Sequence, residues 1–519
     1  MSTGFLSSLQ SDYVITYLRN EVKVWQIGLA LLLAWRAWSY WENRLDIPFY
    51  GGIWSFSRVL SIIKMNREGA QAFLDTYKQH PMVAVPRVDA WFIMMHPDFV
   101  EEINKAPEDV ISNDDNILVA LQVPYTLRNK IIENPYHKYV IQNQLTKNLV
   151  KIFEDIHDEI PRAWENLTDG HEWKRITMLP AALQLIAQTS NRVFVGAPLC
   201  RDQRWKSAMT DGTTSIVKLA ALISLFPPWA RPIVGRILSH PDAKSKEYAP
   251  LVAPLVEERL KMDPEDRPDD FISWLLELAP PEDQNALEVT RRLIGMNFAA
   301  VHTTSMNLTH AIFWLLARPE YIEPLRAEIA AVTEEMGWTK DALTHMVKLD
   351  SFMKESVRIT PISSQALSRI VMKPFTFSNG VRIPAGYALG AHMYGTHHDP
   401  NIYENPEEFK GDRFLPKTDA VAPGLNYADD EEREASLKRS MYAASKTYLG
   451  FSYGKHVCPG RFFASMELKT MVAHLLMEYE IKWPEEVSKG AKHYRPENMW
   501  FGGALVPNPT AEILIRKRR

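Results

Sequence analysis

The segment Phe451-Ser452-Tyr453-Gly454-Lys455-His456-Val457-Cys458-Pro459-Gly460-Arg461 decides how the rest of the chain is read. Gly454 permits a tight turn and a close backbone approach. Cys458 follows in the loop, and Pro459 can open a helix because its missing N–H costs nothing there. The sulfur then sits beside a helix N-terminus, where the dipole and free N–H groups favour thiolate over thiol. Gly460 leaves room for a flat ligand against the backbone. A thiolate held this way can bind iron axially and push electron density toward O–O cleavage. The competing reading is a buried structural cysteine, the commonest fate of a lone Cys.

The totals narrow the field. The chain has 519 residues, 46% hydrophobic and 24% charged, the balance of an ordinary globular protein. A net charge of -4 gives no nucleic-acid footprint. Cys200 and Cys458 are the only cysteines, which excludes a disulfide framework and suits a reducing compartment. There is no internal repeat, no Ser/Gly linker and no Gly-rich dinucleotide fingerprint after a strand.

Outward from the loop, helical patterns dominate: 69–79, 136–166, 288–317, 320–336, 343–358 and 459 to about 479. Strand signals are few. Residues 82–85 and 91–94 can pair, 375–383 reads as a hairpin closed by Asn379-Gly380, and 513–515 suits a closing strand. Residues 418–445 are polar and charged, a solvated loop. This predicts a mainly α protein with a small β component, one large domain over 47–519.

The N-terminal 46 residues differ. An apolar stretch over about 24–41 has the core Ile27-Gly28-Leu29-Ala30-Leu31-Leu32-Leu33-Ala34-Trp35, interrupted by Gln26 and Arg36. It is marginal against the roughly 20 apolar residues of a membrane span. Trp25, Trp35, Trp38, Tyr40 and Trp41 resemble an interfacial aromatic belt, which favours a single anchor over an amphipathic surface helix.

Phe451 to Gly460 completes the pattern Phe-x-x-Gly-x-x-x-Cys-x-Gly, and here the chain resembles the cytochromes P-450, whose haem-binding loop reads this way. The resemblance implies that Cys458 is the axial ligand of haem iron, with Phe451 in the cofactor loop. It puts His456 where a haem propionate is often contacted; a surface His is the alternative. Glu355-Ser356-Val357-Arg358 is similar to the family's Glu-x-x-Arg motif, and Arg413 supplies the second Arg downstream. The implied role of Glu355, Arg358 and Arg413 is structural support of the haem loop. Arg369 falls where the family has another propionate-binding Arg, with a surface Arg as the alternative.

Asn297-Phe298-Ala299-Ala300-Val301-His302-Thr303-Thr304-Ser305 resembles the family's oxygen-handling helix. Thr303 matches the Thr that seats O2 and relays protons. Ala300 replaces the usual Gly, and His302 replaces the usual acid. His302 titrates near neutrality and could relay protons; a packing role is the alternative. The family's Trp-x-x-x-Arg haem contact is absent, leaving His137 or Lys138 as substitutes.

The implied activity is insertion of one oxygen atom from O2 into an apolar substrate, a terpenoid or steroid-like compound of fungal secondary metabolism. The implied cofactor is haem b (iron-protoporphyrin IX). NADPH acts only through a separate NADPH-cytochrome reductase, docking near Lys455 and Arg461. The expected setting is a monomer anchored in the endoplasmic reticulum membrane, with a cytosolic catalytic domain. Residues 118–123, 298–303, 361–365 and 501–504 are expected to line the substrate pocket. The rival readings are a reductase-independent peroxygenase or isomerase, and a non-catalytic haem-binding protein.

Overall fold

The computed structural model describes residues 26, 45–52, 55–168, 170–239, 242–415, 438–491 and 493–519. The expected anchor over 24–41 lies, apart from Gln26, outside the described residues. Among those described, no helix is long and apolar enough to cross a membrane.

The molecule is built around the helix Ala286–Ala317, whose 32 residues span about 48 Å. Its start is fixed by Asn285, whose side chain accepts from the Glu288 N–H at 3.1 Å. Met178–Phe194, Gln203–Ser224, Ala243–Lys261, Val347–Ile359 and Arg461–Glu478 pack around it. One large apolar cluster links all six helices. The predicted helices at 69–79, 288–317, 320–336 and 459–479 fall on observed ones. The pattern at 343–358 is split at Met346 into Ala342–His345 and Val347–Ile359.

The pattern at 136–166 is also broken. Tyr136–Tyr139 runs into a π-helical turn, Val140–Leu145, before Leu149–Glu165 begins. Thr146 Oγ1 donates to the Ile141 carbonyl, five residues back, which matches the wider turn.

The strands form a five-stranded sheet in the order Met82–Pro86, Trp91–Met95, Ala388–Ala391, Ala366–Val371, Ile111–Ser112. The first two pair antiparallel as predicted, with Met82 opposite Met95. Ala366–Val371 carries a bulge between Ala366 and Arg369, and Leu367 there has φ 51°. The 375–383 hairpin is present with only two residues per strand. Glu512–Lys517 closes a three-stranded sheet between Lys174–Thr177 and Tyr479–Lys482. Of the expected solvated loop 418–445, residues 418–437 lie outside the described part. Its end is partly solvated: Lys438 and Ser445 are exposed, while Ser440 and Met441 are buried and the Met441 N–H donates to Asp350 Oδ1 at 2.9 Å.

Candidate active site

The cysteine loop closes on itself. The Cys458 N–H donates to the Phe451 carbonyl at 2.9 Å, around a short turn over Gly454–His456. Gly454 has φ 76°, and a Cβ there would sit 1.9 Å from Asn104 Oδ1. That same Oδ1 accepts from the Lys455 N–H at 2.8 Å. A glycine is therefore required both by conformation and by close approach. Gly460 is the N-cap of Arg461–Glu478, so the helix opens two residues later than Pro459 suggests.

The loop faces a cavity of about 500 Å³ between Ala286–Ala317 and Arg461–Glu478. Five of the sequence-predicted residues meet on its wall: Thr303, Arg369, Phe451, His456 and Cys458. Apolar side chains such as Ile117, Phe194, Met296 and Ile362 line much of the rest.

Burial pushes the Cys458 thiol up; the Gly460 and Arg461 backbone N–H groups and the Arg461 charge pull it down. Burial wins. The Gly460 and Arg461 N–H groups act on the sulfur in the direction expected of a helix N-terminus, against the larger effect of burial. Arg369 is 4% exposed, and burial lowers its guanidinium to about 10. It donates to Asn113 Oδ1 at 2.9 Å and to the Ser368 carbonyl at 2.8 Å, both neutral acceptors. A guanidinium in such a place is stabilised by an anion. His456 Nε2 lies 3.1 Å from Glu108 Oε2. A Cβ at Gly460 would meet nothing within 4 Å. A soft sulfur donor, an open backbone face and basic groups at the rim suit a flat metal-bearing ring with carboxylate edges.

Behind the loop lies a buried ionic network. Arg358 grips Glu355 through two bonds, Nε to Oε2 at 2.7 Å and Nη2 to Oε1 at 2.8 Å. Arg413 Nε reaches both oxygens of the same carboxylate at 3.0 Å, and the Lys410 N–H adds a bond to Oε1. Glu355 and Arg358 are fully buried. The three residues paired by motif are thus brought together in space.

Sequence reading missed the link from this network to the loop, which is His397. Arg358 Nη1 donates to the His397 carbonyl at 2.6 Å. His397 Nδ1 meets the Arg358 carbonyl at 3.1 Å, and its Nε2 accepts from the Leu449 N–H at 2.9 Å. An acceptor at Nε2 puts the ring proton on Nδ1. Burial drives the imidazole far below its usual range, so it is neutral. The bridging role depends on chain folding across 39 and 52 residues, for which no local motif exists. Asn307, also on the wall, was missed too; its Nδ2 donates to the Thr303 carbonyl at 2.9 Å.

Several expected positions are elsewhere. His302 is not on the cavity wall; its ring turns to Thr213. His137 contacts Arg292 at 2.9 Å, and Lys138 pairs with Asp114 at 2.7 Å, so neither reaches the cavity. Burial, then the Arg292 charge, lowers His137 to about 3. Of the four expected pocket stretches, 298–303 contributes Ala299, Ala300 and Thr303, and 361–365 contributes Ile362, Ser363 and Gln365. Residues 118–123 yield the wall to Asn116 and Ile117, the two residues just before them. Residues 501–504 do not line it: Phe501 is exposed, and Gly503 is spent accepting from the Ser364 N–H.

Comparison with known proteins gives the same picture. The family model for cytochrome P450 matches residues 51–514. Cytochrome P450 monooxygenase 103 of Postia placenta is 34% identical over 484 residues, 91% of this chain and 93% of that protein. The ent-kaurene oxidase of Gibberella intermedia is 29% identical over 491 residues, 92% of this chain and 86% of that protein. The structure of retinoic acid bound cyanobacterial CYP120A1 superposes with a TM-score of 0.65, covering 91% of this chain and all of the other, at 16% identity. With matches of this extent in sequence and fold, the chain belongs to the cytochrome P450 family and is an oxidoreductase of the monooxygenase type.

Proposed function

We propose that this enzyme inserts one oxygen atom from O2 into an apolar terpenoid or steroid-like substrate of fungal secondary metabolism. Its electrons would come from a separate NADPH-dependent reductase. The observation that carries the reading is that Cys458, Arg369 and Thr303 face one largely apolar cavity. The similarity to a fungal ent-kaurene oxidase supports a terpenoid substrate.

The family implies haem, which when bound supplies oxygen activation and electron transfer. The chain's own residues do the rest. Cys458 would ligate the iron through sulfur, and Arg369 with His456 would hold the carboxylate edge. The apolar wall excludes water and orients the substrate. Thr303 Oγ1 donates to the Ala299 carbonyl at 2.8 Å, which fixes its hydroxyl at the wall. From there it can accept one proton as it passes its own on. Arg461 is already committed, to the Cys458 carbonyl and to the Phe462 ring, so Lys455 is the freer proximal cation for a reductase.

We further propose an N-terminal segment over 1–46 that anchors a monomeric catalytic domain, 47–519, to the endoplasmic reticulum membrane. An exposed apolar surface supports membrane contact: Leu225, Phe226, Ile233, Ile237 and Trp229, the last 77% exposed. Val59, Leu60 and Ile63 add to it from Ser55–Glu68, whose Arg58 acts electrostatically on Arg231.

The test is turnover of a diterpene panel by purified enzyme with reductase and NADPH. Hydroxylated product that requires both supports the proposal. Product from peroxide alone, or a spectral shift with no product under either condition, contradicts it.

A further inference from the structure

His302 stands where the cavity-facing turn of Ala286–Ala317 meets the neighbouring helix Gln203–Ser224. Its Nε2 lies 2.6 Å from Thr213 Oγ1. Thr213 is fully buried. The hydroxyl has one proton, and that proton is directed at the Met209 carbonyl, 2.6 Å away, or at Thr210 O, 3.0 Å away. The oxygen must then accept from the histidine, so Nε2 carries the ring hydrogen. Burial lowers the imidazole below its usual range, which keeps it in this neutral form.

The bond matters because it ties the cavity-facing turn to a second helix. A pocket of about 80 Å³ opens two to three helical turns before His302, where Arg291 and Ile294 face Gly212 and Ile216 and residues 125–127 and 244–245 complete the wall. A Cβ at Gly212 would meet nothing within 4 Å. Apolar packing joins the two helices along their length, and beside Thr303 a short, partly buried hydrogen bond adds a directional link. Thr303 is the next residue along, and its side chain has bonds only to its own helix.

We infer that His302 is a positioning residue: by donating to Thr213 it fixes the turn that presents Thr303 to the cavity, and it does not itself deliver protons. This rests on the reading of Thr303 given above, but the hydrogen-exchange arm of its test does not.

The test uses the full-length holoenzyme with reductase and four variants. His302→Leu and Thr213→Val remove the bond from either side. His302→Gln keeps an N–H donor but cannot titrate, and Thr213→Ser keeps the hydroxyl. Backbone hydrogen exchange over 299–305 should rise about fivefold in His302→Leu and Thr213→Val, the scale of one lost hydrogen bond. Peroxide released per NADPH consumed should rise with it, and the pH profile of that leak should not move. His302→Gln and Thr213→Ser should recover most of both. The inference is overturned if His302→Leu and Thr213→Val exchange like the parent. It is equally overturned if His302→Gln leaks like His302→Leu while Thr213→Val does not, since that pattern demands a titrating ring. Should His302→Leu fail to fold, the Val/Ser pair at position 213 decides alone. Failure of the Thr303 reading would show separately, as normal coupling in Thr303→Ala.

Discussion

Behind the cysteine loop, the Glu355 carboxylate accepts from Arg358, Arg413 and the Lys410 backbone. Across the cavity, the Thr303 hydroxyl donates only to carbonyls of its own helix. The first region is over-determined: an ionic network, extended through His397 to Leu449, holds the loop from several directions. The second is held by bonds within its own helix and by the neighbouring His302–Thr213 bond. The contrast fits the two roles proposed above. A sulfur that ligates a metal would have to keep its position through every step, while a hydroxyl that hands on protons would have to exchange partners. Rigid support and local freedom cannot be built from the same contacts.

Breaking the rigid side should cost most. Removing one partner of a buried ion pair costs about 3–5 kcal/mol, because the other charge stays buried and unpaired. Glu355→Ala leaves two guanidiniums without their carboxylate, so it should yield no haem-loaded protein, as read from the absorbance ratio of haem to protein. A Glu355→Ala enzyme that binds haem normally would show that the network is dispensable.

Glu467 is the exception on that side: a fully buried carboxyl met only by the hydroxyls of Thr189 and Ser190. Burial raises it to about 7, and the two hydroxyls pull it partly back. Its folded pKa lies above the unfolded value, so the folded state holds the proton more tightly. The resulting stability is complete below the unfolded pKa and is lost as pH rises through about 7. The full effect is on the order of 3 kcal/mol. Glu467→Gln should therefore raise Tm at pH 8 more than at pH 5; an equal change at both would contradict this.

A smaller effect is expected at the rim. Arg369→Met removes one charge-assisted contact, about 1.5–3 kcal/mol, and should weaken haem retention about 10- to 100-fold in a haem-transfer assay. Unchanged retention would return Arg369 to an ordinary buried arginine bonded to Asn113.

The smallest structural effect, and the most specific functional one, belongs to the other side. Thr303→Ala loses bonds only within its helix, so Tm should barely change. Product formed per NADPH should fall about fivefold, as for one missing hydrogen bond. A large drop in Tm would mean that this side is as tightly built as the other.

How much of this could be read from the chain depends on whether the contacts are local. The cysteine loop was legible because its turn, its sulfur and its glycines lie within eleven residues. Glu355 and Arg358 were legible as a helical pair, and Arg413 only through family resemblance. His397 was not, since its partners come from distant segments. The helix Ala243–Lys261 was not legible: Pro250 and Pro254 lie inside it, and it is held by tertiary packing against Ala286–Ala317. Orientation is the other blind spot. His302 sits beside Thr303 in sequence, but the helical turn of about 100° per residue points it at Thr213 instead of the cavity.

The central claim is that Cys458 sulfur holds the iron, and one measurement tests it directly: the ferrous CO difference spectrum of parent, Cys458→Ser and Cys200→Ser. The parent and Cys200→Ser, whose thiol is buried away from the cavity, should both give the red-shifted Soret band of a thiolate-ligated haem. Cys458→Ser should lose it. A Cys458→Ser protein that kept that band, or a parent with the spectrum of a histidine-ligated globin, would contradict the account.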